Sequence, residues 1–383
     1  MSRSSATTTA LHVTRTTMSK GKALIAMSGG VDSSAAAFLM QDAGWDCIGA
    51  NMRLYRNEDI GISGEKSCCS LDDAEDARSV AFRLHMPFYV FNFSDDFNRQ
   101  VIDRFVASYE QGETPNPCID CNRFLKFDRL YHRAEELGCD CIATGHYARI
   151  EQAENGRYLL KKALDPAKDQ SYVLYSLTQA QLARTHFPLG AYSKPEIRAM
   201  AEARGFRNAH KHDSQDICFV PDGDYAAFIA QRTGKAYAPG NFVLEDGTVL
   251  GRHRGLIAYT IGQRKGLGIA YAHPLYVLRK DLLRNEIVLS DNAALFSESL
   301  TAREFNWIAF DAPEAPVHCT AKTRYQAREI PCTASVCPDG RVHIEFEQPV
   351  RAVTPGQAVV LYDGDTVLGG GTICCAHPDA SRR

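Results

Sequence analysis

The apolar run Ala23–Met27 stops at Ser28-Gly29-Gly30-Val31-Asp32-Ser33-Ser34, which opens a helix-like stretch. The pattern reads as a strand, a tight glycine turn and a helix N-terminus crowded with hydroxyls. Paired glycines let a backbone approach an anion closely, and the N–H groups and hydroxyls at a helix start donate to it. No Lys follows Gly as a Walker-type loop requires, so a P-loop NTPase is disfavoured. A serine-capped helix after an ordinary Gly turn is the competing reading. Placement after a strand, near the chain start, weighs against it.

The alternation begun there continues to about Thr144. Ala23–Met27, Asp46–Arg53, Phe88–Phe93 and Cys141–Thr144 read as short buried strands. Ser33–Gly44, Ser70–His85, Asp95–Glu110 and Asn122–Leu137 read as the helices between and after them. Ser70 with Asp73 makes a capping-box signature ahead of an apolar stripe. This is the pattern of a doubly wound α/β domain: a parallel sheet covered on both faces, with ligands at the carboxyl ends of the strands. Ser193–Arg204 predicts a further helix with its own cap, first-turn proline and box partner, Ser193, Pro195 and Glu196. Near Phe219 the texture changes. One more helix is expected over Asp222–Arg232, then short strands, and beyond about Ser290 the pattern is all-β. Val359–Tyr362, Asp363-Gly364 and Val367-Leu368 suggest a hairpin there.

A chain of 383 residues has room for two or three domains. No apolar run approaches the roughly 20 residues of a membrane helix. The net charge of −3 does not advertise a nucleic-acid partner, so any such surface must come from local patches. Arg252-His253-Arg254, Gln263-Arg264-Lys265 and Lys322-Thr323-Arg324 are such patches; with Tyr259 and Tyr325 interleaved they read as an RNA surface rather than solvated faces. Residues 1–20 are Ser/Thr-rich, carry Arg3 and Arg15 and lack acids. They read as a disordered extension, with Met18 an alternative start; a short organellar transit segment is the other reading. The expected location is otherwise cytoplasmic.

Thirteen scattered cysteines argue for a reducing compartment and for thiol or metal chemistry rather than a disulfide framework. Thr114-Pro115-Asn116-Pro117-Cys118-Ile119-Asp120-Cys121-Asn122-Arg123 is a proline-stiffened loop leading into a helix. Its placement puts Cys121 near a helix start beside Arg123 and Lys126, an expectation of a lowered thiol pKa. Asp213-Ser214-Gln215-Asp216-Ile217-Cys218-Phe219 ends in a second candidate, Cys218, which by itself could be a plain core thiol. Cys118 and Cys121 form the chain's one C-x-x-C, too little for a zinc site. With Cys218 they would suit a [4Fe–4S] cluster with one iron open.

The glycine loop resembles the PP-loop of the ATP pyrophosphatases, which split ATP into AMP and pyrophosphate and adenylate a substrate oxygen. Over about Lys22 to Ile373 the chain resembles the tRNA-specific 2-thiouridylases. The motifs are Ala-Met-Ser-Gly-Gly-Val-Asp-Ser (26–33), Thr-Pro-Asn-Pro-x-x-x-Cys-Asn (114–122), Ala-Thr-Gly-His-Tyr (143–147) and Lys-Asp-Gln-Ser-Tyr (168–172). Further on come Asp-Ser-x-x-Ile-Cys-Phe (213–219), Tyr-Thr-Ile-Gly-Gln-Arg-Lys-Gly-Leu-Gly (259–268), Lys-Thr-Arg-Tyr (322–325), Thr-Pro-Gly-Gln (354–357) and Leu-Gly-Gly-Gly (368–371).

The resemblance implies an adenine-nucleotide α-hydrolase-like catalytic domain over residues 21–218, a small central tRNA-contacting domain over 219–290 and a C-terminal β-barrel over 291–383. It implies ATP on Ala26, Met27, Ser28, Gly29, Gly30, Val31, Asp32, Ser33, Met52 and Gly145, with Mg²⁺ to neutralise phosphate charge. Cys218 looks like the persulfide carrier and Cys121 like its nucleophilic partner, which releases the sulfur or closes a transient disulfide. Asn116, Pro117 and position 118 would lie by the target base, the wobble uridine of tRNA. His146, Lys168, Asp169, Gln170, Arg324, Tyr325 and Gln357 look like tRNA contacts, and a persulfide or sulfide donor protein is the implied sulfur source. Many relatives carry Asp at position 118, where this chain has Cys. That departure leaves two delivery routes, a persulfide relay or a cluster on Cys118, Cys121 and Cys218. An amide-forming PP-loop synthetase and a non-catalytic RNA-binding module are the more distant readings.

Overall fold

The computed structural model describes residues 19–56, 71–211 and 217–378. Ser70 of the anticipated capping box, the Asp213–Asp216 run and almost all of the N-terminal extension lie outside the described residues.

Five parallel strands form the first sheet, in the order β3 (Phe88–Asn92), β2 (Asp46–Arg53), β1 (Lys22–Ala26), β4 (Cys141–Ala143) and β7 (Thr185–His186). Strand β1 is buried on both faces, the reason it reads as an unbroken apolar run rather than an alternation. The order reverses at β1, which pairs with β2 on one side and β4 on the other, so a crevice opens at the carboxyl ends there. Helix α1 (Val31–Asp42) starts at that crevice. Small residues from Ser33 to Ala37 let it bury most of its circumference between the sheet and the Lys194–Ala203 helix. It begins two residues earlier than expected because Gly30 is still extended (φ −82°, ψ 162°) and serves as the cap.

A larger revision concerns the thiol loop. The helix expected over 122–137 begins at Pro117, capped by the Asn116 side chain, which accepts from Cys118 N at 3.1 Å. Proline is favourable at the first helical position, so Pro117 initiates the helix instead of delaying it. From Cys121 to Arg129 the ladder widens to the i→i+5 spacing, then returns to α over Leu130–Glu136. The Lys194–Ala203 helix has the capping box and first-turn Pro195 as read, and Asp224 caps the central helix Tyr225–Thr233.

The central domain is a four-stranded sheet, β10 (Tyr276–Asp281), β11 (Glu286–Ser290), β8 (Gly240–Val243) and β9 (Val249–His253), over its own small core. The C-terminal unit is a closed six-stranded barrel of β12 (Phe296–Trp307), β13 (Val317–Lys322), β14 (Ile330–Val336), β15 (Val342–Arg351), β16 (Ala358–Asp363) and β17 (Thr366–Pro378), closed by β12 pairing with β17. A hairpin from the catalytic domain, β5 (Ala148–Gln152) and β6 (Tyr158–Lys162), docks on β17, which the sequence did not signal.

Strand β16 shows how firmly the barrel is joined. Val359 and Leu361 point into the barrel core, while Ala358, Val360 and Tyr362 point into the core of the catalytic domain. Five consecutive apolar residues of this strand, buried on both faces, are therefore shared by two domains. At about 2 kcal/mol per large apolar side chain buried, this junction is a packed core and not a tether. Among the described residues, no helix is long and apolar enough to cross a membrane.

Candidate functional site

The loop after β1 forms a cradle. Met27 N donates to Ala50 O at 2.7 Å, and the Asn51 amide donates to Met27 O at 2.8 Å, fixing the strand end. Gly29 turns with φ 81°, a conformation that favours glycine. Ser33 Oγ accepts from Ser28 N at 3.1 Å and donates to Gly30 O at 3.0 Å, while Ser34 Oγ also donates to Gly30 O. The hydroxyls thus shape the turn, and the N–H groups opening α1 face the crevice as anion donors. Gly145, just past β4, closes the other side. A Cβ there would lie 2.7 Å from Asp32 C and 2.8 Å from Ser33 N, so only glycine allows this approach. Met52 is half-exposed at the end of β2, on the same rim.

Three residues that sequence reasoning passed over complete the cradle. Lys194 Nζ donates to both carboxylate oxygens of Asp32 at 2.7 Å, and Tyr147 Oη donates to Asp32 Oδ1 at 2.8 Å. Asn208 Nδ2 donates to Gly29 O at 2.8 Å and to Ser34 Oγ at 2.9 Å. Lys194 occupies the first turn of its helix, where a cation opposes the helix dipole, and it is only 7% exposed. A lysine so placed was the legible anomaly; its partner, Asp32, was not legible.

The thiols come from two segments. Cys118, in the first turn of the 117–136 helix, is exposed; Cys121, one turn later, is half-buried. Burial pushes the Cys121 thiol up to about 11, against the pull of Lys126. The expectation of a lowered pKa is thus reversed: Cys121 lies past the helix's first turn, and loss of solvation outweighs one nearby ammonium. Cys218 is half-buried, its carbonyl accepting from Tyr55 Oη at 2.8 Å. Next to it, Phe219 is buried among Phe97, Phe105 and Phe228, with ring centroids 5.3–5.7 Å apart, and this anchors the segment. Among the described residues, no group of three or more His, Cys, Asp or Glu side chains is placed to hold a single metal ion.

Several of the remaining predicted residues meet where the domains join. Gln357 Nε2 donates to Thr114 O at 2.6 Å, and Thr114 N donates to Pro355 O at 2.9 Å, so the barrel grips the root of the proline loop. Beside them Arg303 donates to both oxygens of Glu113 at 3.0 and 3.1 Å. Arg324 donates to Ala352 O at 2.7 Å and Thr354 Oγ1 at 2.8 Å, with Ile261 O of the central domain at 3.4 Å. Tyr325 presents an exposed ring and donates from Oη to Asp169 O at 3.2 Å. Gln170 and Tyr147 are tied by two hydrogen bonds, which connect the Lys168–Gln170 loop to the cradle through Asp32. His146 is buried between Phe127 and Phe187, with Thr144 Oγ1 at 2.7 Å from Nδ1 and Lys126 Nζ at 3.4 Å from Nε2. Burial, then Lys126, holds its pKa well below the usual value, so the ring is neutral. Two members of the expected basic surface prove to be core: Tyr259 and His253 pack with Phe242, leaving Arg252, Arg254, Arg264 and Lys265 facing outward.

Residues 21–222 match the family described as the tRNA methyl transferase HUP domain, residues 226–291 the tRNA methyl transferase PRC-barrel domain, and residues 297–373 the aminomethyltransferase beta-barrel domain. The tRNA-specific 2-thiouridylase MnmA of Geotalea uraniireducens is 52% identical over 355 residues, covering 92% of this chain and 94% of the relative. That of Clostridioides difficile is 48% identical over 353 residues, covering 92% and 98%.

The chain belongs to the tRNA-specific 2-thiouridylase family. The matches cover all three domains. In this member the second position of the thiol helix is another, exposed thiol, Cys118, one turn from Cys121.

Proposed function

We propose that this chain is a tRNA-uridine 2-sulfurtransferase, which uses ATP to exchange the C2 oxygen of the wobble uridine (U34) for sulfur, giving 2-thiouridine, AMP and pyrophosphate. The observation that carries this reading is the joining of a PP-loop cradle to a thiol-bearing helix through a junction gripped by the barrel. ATP phosphates would lie on the N–H groups of Gly29, Gly30 and the α1 N-terminus, with Met52 and Gly145 on the adenosine side. Asp32 is the single carboxylate of the Ser28–Ser34 turn, a hard oxygen donor of the kind Mg²⁺ takes alongside phosphate oxygens. Mg²⁺ bound there would supply charge neutralisation, and Lys194 is a second cation at the same carboxylate.

The uridine C2 oxygen attacks the α-phosphorus, a P–O bond forms, and pyrophosphate leaves. The oxygen, a poor leaving group by itself, is now part of AMP. The terminal sulfur of a persulfide on Cys218 attacks C2 and expels AMP. Cys121, once deprotonated, attacks Cys218 Sγ; the S–S bond to the transferred sulfur breaks, 2-thiouridine departs and a Cys121–Cys218 disulfide remains for an external thiol to reduce. A partner protein of persulfide or sulfide chemistry must charge Cys218. Cys118, Cys121 and Cys218 are the thiols that would hold a [4Fe–4S] cluster in the alternative delivery route, where it would supply hydrosulfide to the activated base.

The wobble base would leave its stack to reach Asn116, Pro117 and Cys118. The exposed Tyr325 ring offers a stacking face, and Arg252, Arg254, Arg264, Lys265 and Lys168 offer phosphate contacts. Arg324, Gln357 and His146 serve the same surface by holding it in shape. This chemistry suits a reducing cytoplasm.

Mass spectrometry of nucleosides from tRNA incubated with the protein, ATP, Mg²⁺ and a persulfide source tests the proposal. The expected result is 2-thiouridine, lost in Cys121→Ser and Cys218→Ser and kept in Cys118→Ser. ATP converted to AMP without thiolation would move the amide-synthetase reading to the front. A requirement for all three thiols would overturn the persulfide route.

A further inference from the structure

Five cysteines of the barrel take no part in the proposed reaction, and two of them face each other. Cys319 on β13 and Cys332 on β14 are directly opposite in the antiparallel register, with sulfurs 3.6 Å apart. Opposed residues in such a ladder have Cα atoms about 4.5–5.5 Å apart, inside the 4.4–6.8 Å span of disulfides, so the backbone is already in place. The two sulfurs are not equivalent. Cys319 is half-buried and reachable, whereas Cys332 is 2% exposed. The contact between the two thiols lowers the Cys319 thiol pKa and, with burial, raises that of Cys332.

We propose that Cys319 and Cys332 form an oxidisable dithiol, a modification site that hydroperoxides convert to a cross-strand disulfide. The Cys319 thiolate attacks the peroxide O–O bond, an S–O bond forms, and hydroxide leaves to become water with the proton given up by Cys332. Cys332 sulfur then attacks the Cys319 sulfenic sulfur; the S–S bond forms, the S–O bond breaks, and the oxygen leaves as hydroxide that takes up the proton Cys319 released on ionising, giving a second water. Two thiols and one hydrogen peroxide give one disulfide and two waters.

The consequence follows from what the two strands carry. The segment between them, residues 323–329, holds Arg324 on Ala352 O, Thr354 Oγ1 and Ile261 O, and Tyr325 on Asp169 O. Thr320 Oγ1, beside Cys319, donates to Glu329 Oε2 at 2.7 Å, and Glu329 pairs with Lys162 of β6. A disulfide at the base of this hairpin staples the piece of barrel that touches both other domains.

The test uses the full chain in graded hydrogen peroxide, followed by thiol blocking with N-ethylmaleimide, non-reducing digestion and mass spectrometry. The expected product is a peptide pair linked through Cys319 and Cys332, two hydrogens lighter than its free parts and split by reductant. Hydrogen exchange of residues 323–329 is expected to slow on oxidation and recover on reduction. The link should persist in Cys121→Ser and Cys218→Ser and vanish in Cys319→Ser. Cys332→Ala provides a second check should the serine variant fold poorly. Wild-type protein in which Cys319 and Cys332 both keep the maleimide label after Cys121 or Cys118 has been oxidised overturns the proposal. So does Cys319 driven to sulfinic acid with no link formed.

Discussion

The nucleotide cradle and the thiol region carry the same proposed reaction but are built in opposite ways. The cradle is local: a strand end, a turn and a helix start within Ala26–Ser34, whose hydroxyls and carbonyls satisfy one another. Its outside help is a few fixed contacts from Gly145, Tyr147, Lys194 and Asn208. The thiol region is assembled from far apart in the chain. Cys121 depends on a helix whose entry is gripped by the barrel, and Cys218 on an aromatic cluster. A local site tolerates distant change; an assembled one transmits it.

The sharpest break in this comparison comes from the cradle carboxylate. Asp32→Ala is expected to lower ATP-to-AMP turnover by about 100- to 1000-fold, the scale of losing a placed charge, while tRNA binding by filter retention stays near wild type. Lys194→Met leaves Asp32 without its cation in a partly enclosed site and is expected to cost about 3 kcal/mol in urea unfolding. On the thiol side, Phe219→Ala empties a packed aromatic position and should cost about 3–5 kcal/mol. Nucleotide affinity of the folded fraction should hold, while Cys218 alkylation accelerates. A smaller effect is expected at the barrel's grip: Gln357→Ala removes one hydrogen bond, about 1 kcal/mol, and should lower thiolation more than ATP binding. If both fall together, the two regions are not separable.

Thiol titration sharpens the same contrast. At neutral pH, iodoacetamide should modify exposed Cys118 before Cys121, read by peptide mass spectrometry. Because the Cys121 pKa is raised in the fold to about 11, its contribution to stability is complete below the unfolded cysteine value and is lost as pH rises through about 11. His146 runs the other way. Its depressed pKa gives stability that is present above the unfolded histidine value and is lost as pH falls below it. His146→Gln should flatten the acid limb of a stability-versus-pH curve.

Most of the α/β domain was legible because its signals are periodic or local. The four strands came out within one residue of their ends, and the Ser193–Glu196 capping box formed as read. The thiol helix was misjudged at its start because Pro-Asn-Pro reads equally as a rigid loop or as a cap and first-turn proline, and only Asn116's bond to Cys118 N decides. Tyr259 and His253 were misassigned to a surface because a short charged run with one aromatic has no period to show which residues face inward.

The amino-acid sequence by itself determined the cradle, the layered sheet and the later β domains, and it supplied the thiols proposed to react. These depend on backbone preferences and on residue spacing, which act over a few positions. Tertiary structure alone decided that Lys194 sits on Asp32, that β5 and β6 dock on the barrel, that β16 is shared by two cores, and that Cys121 is a half-buried thiol whose pKa is raised. Each of those is a matter of what desolvates or neutralises a group from a distant segment. Solvation and pairing are properties of the assembled interior, and no local pattern encodes them.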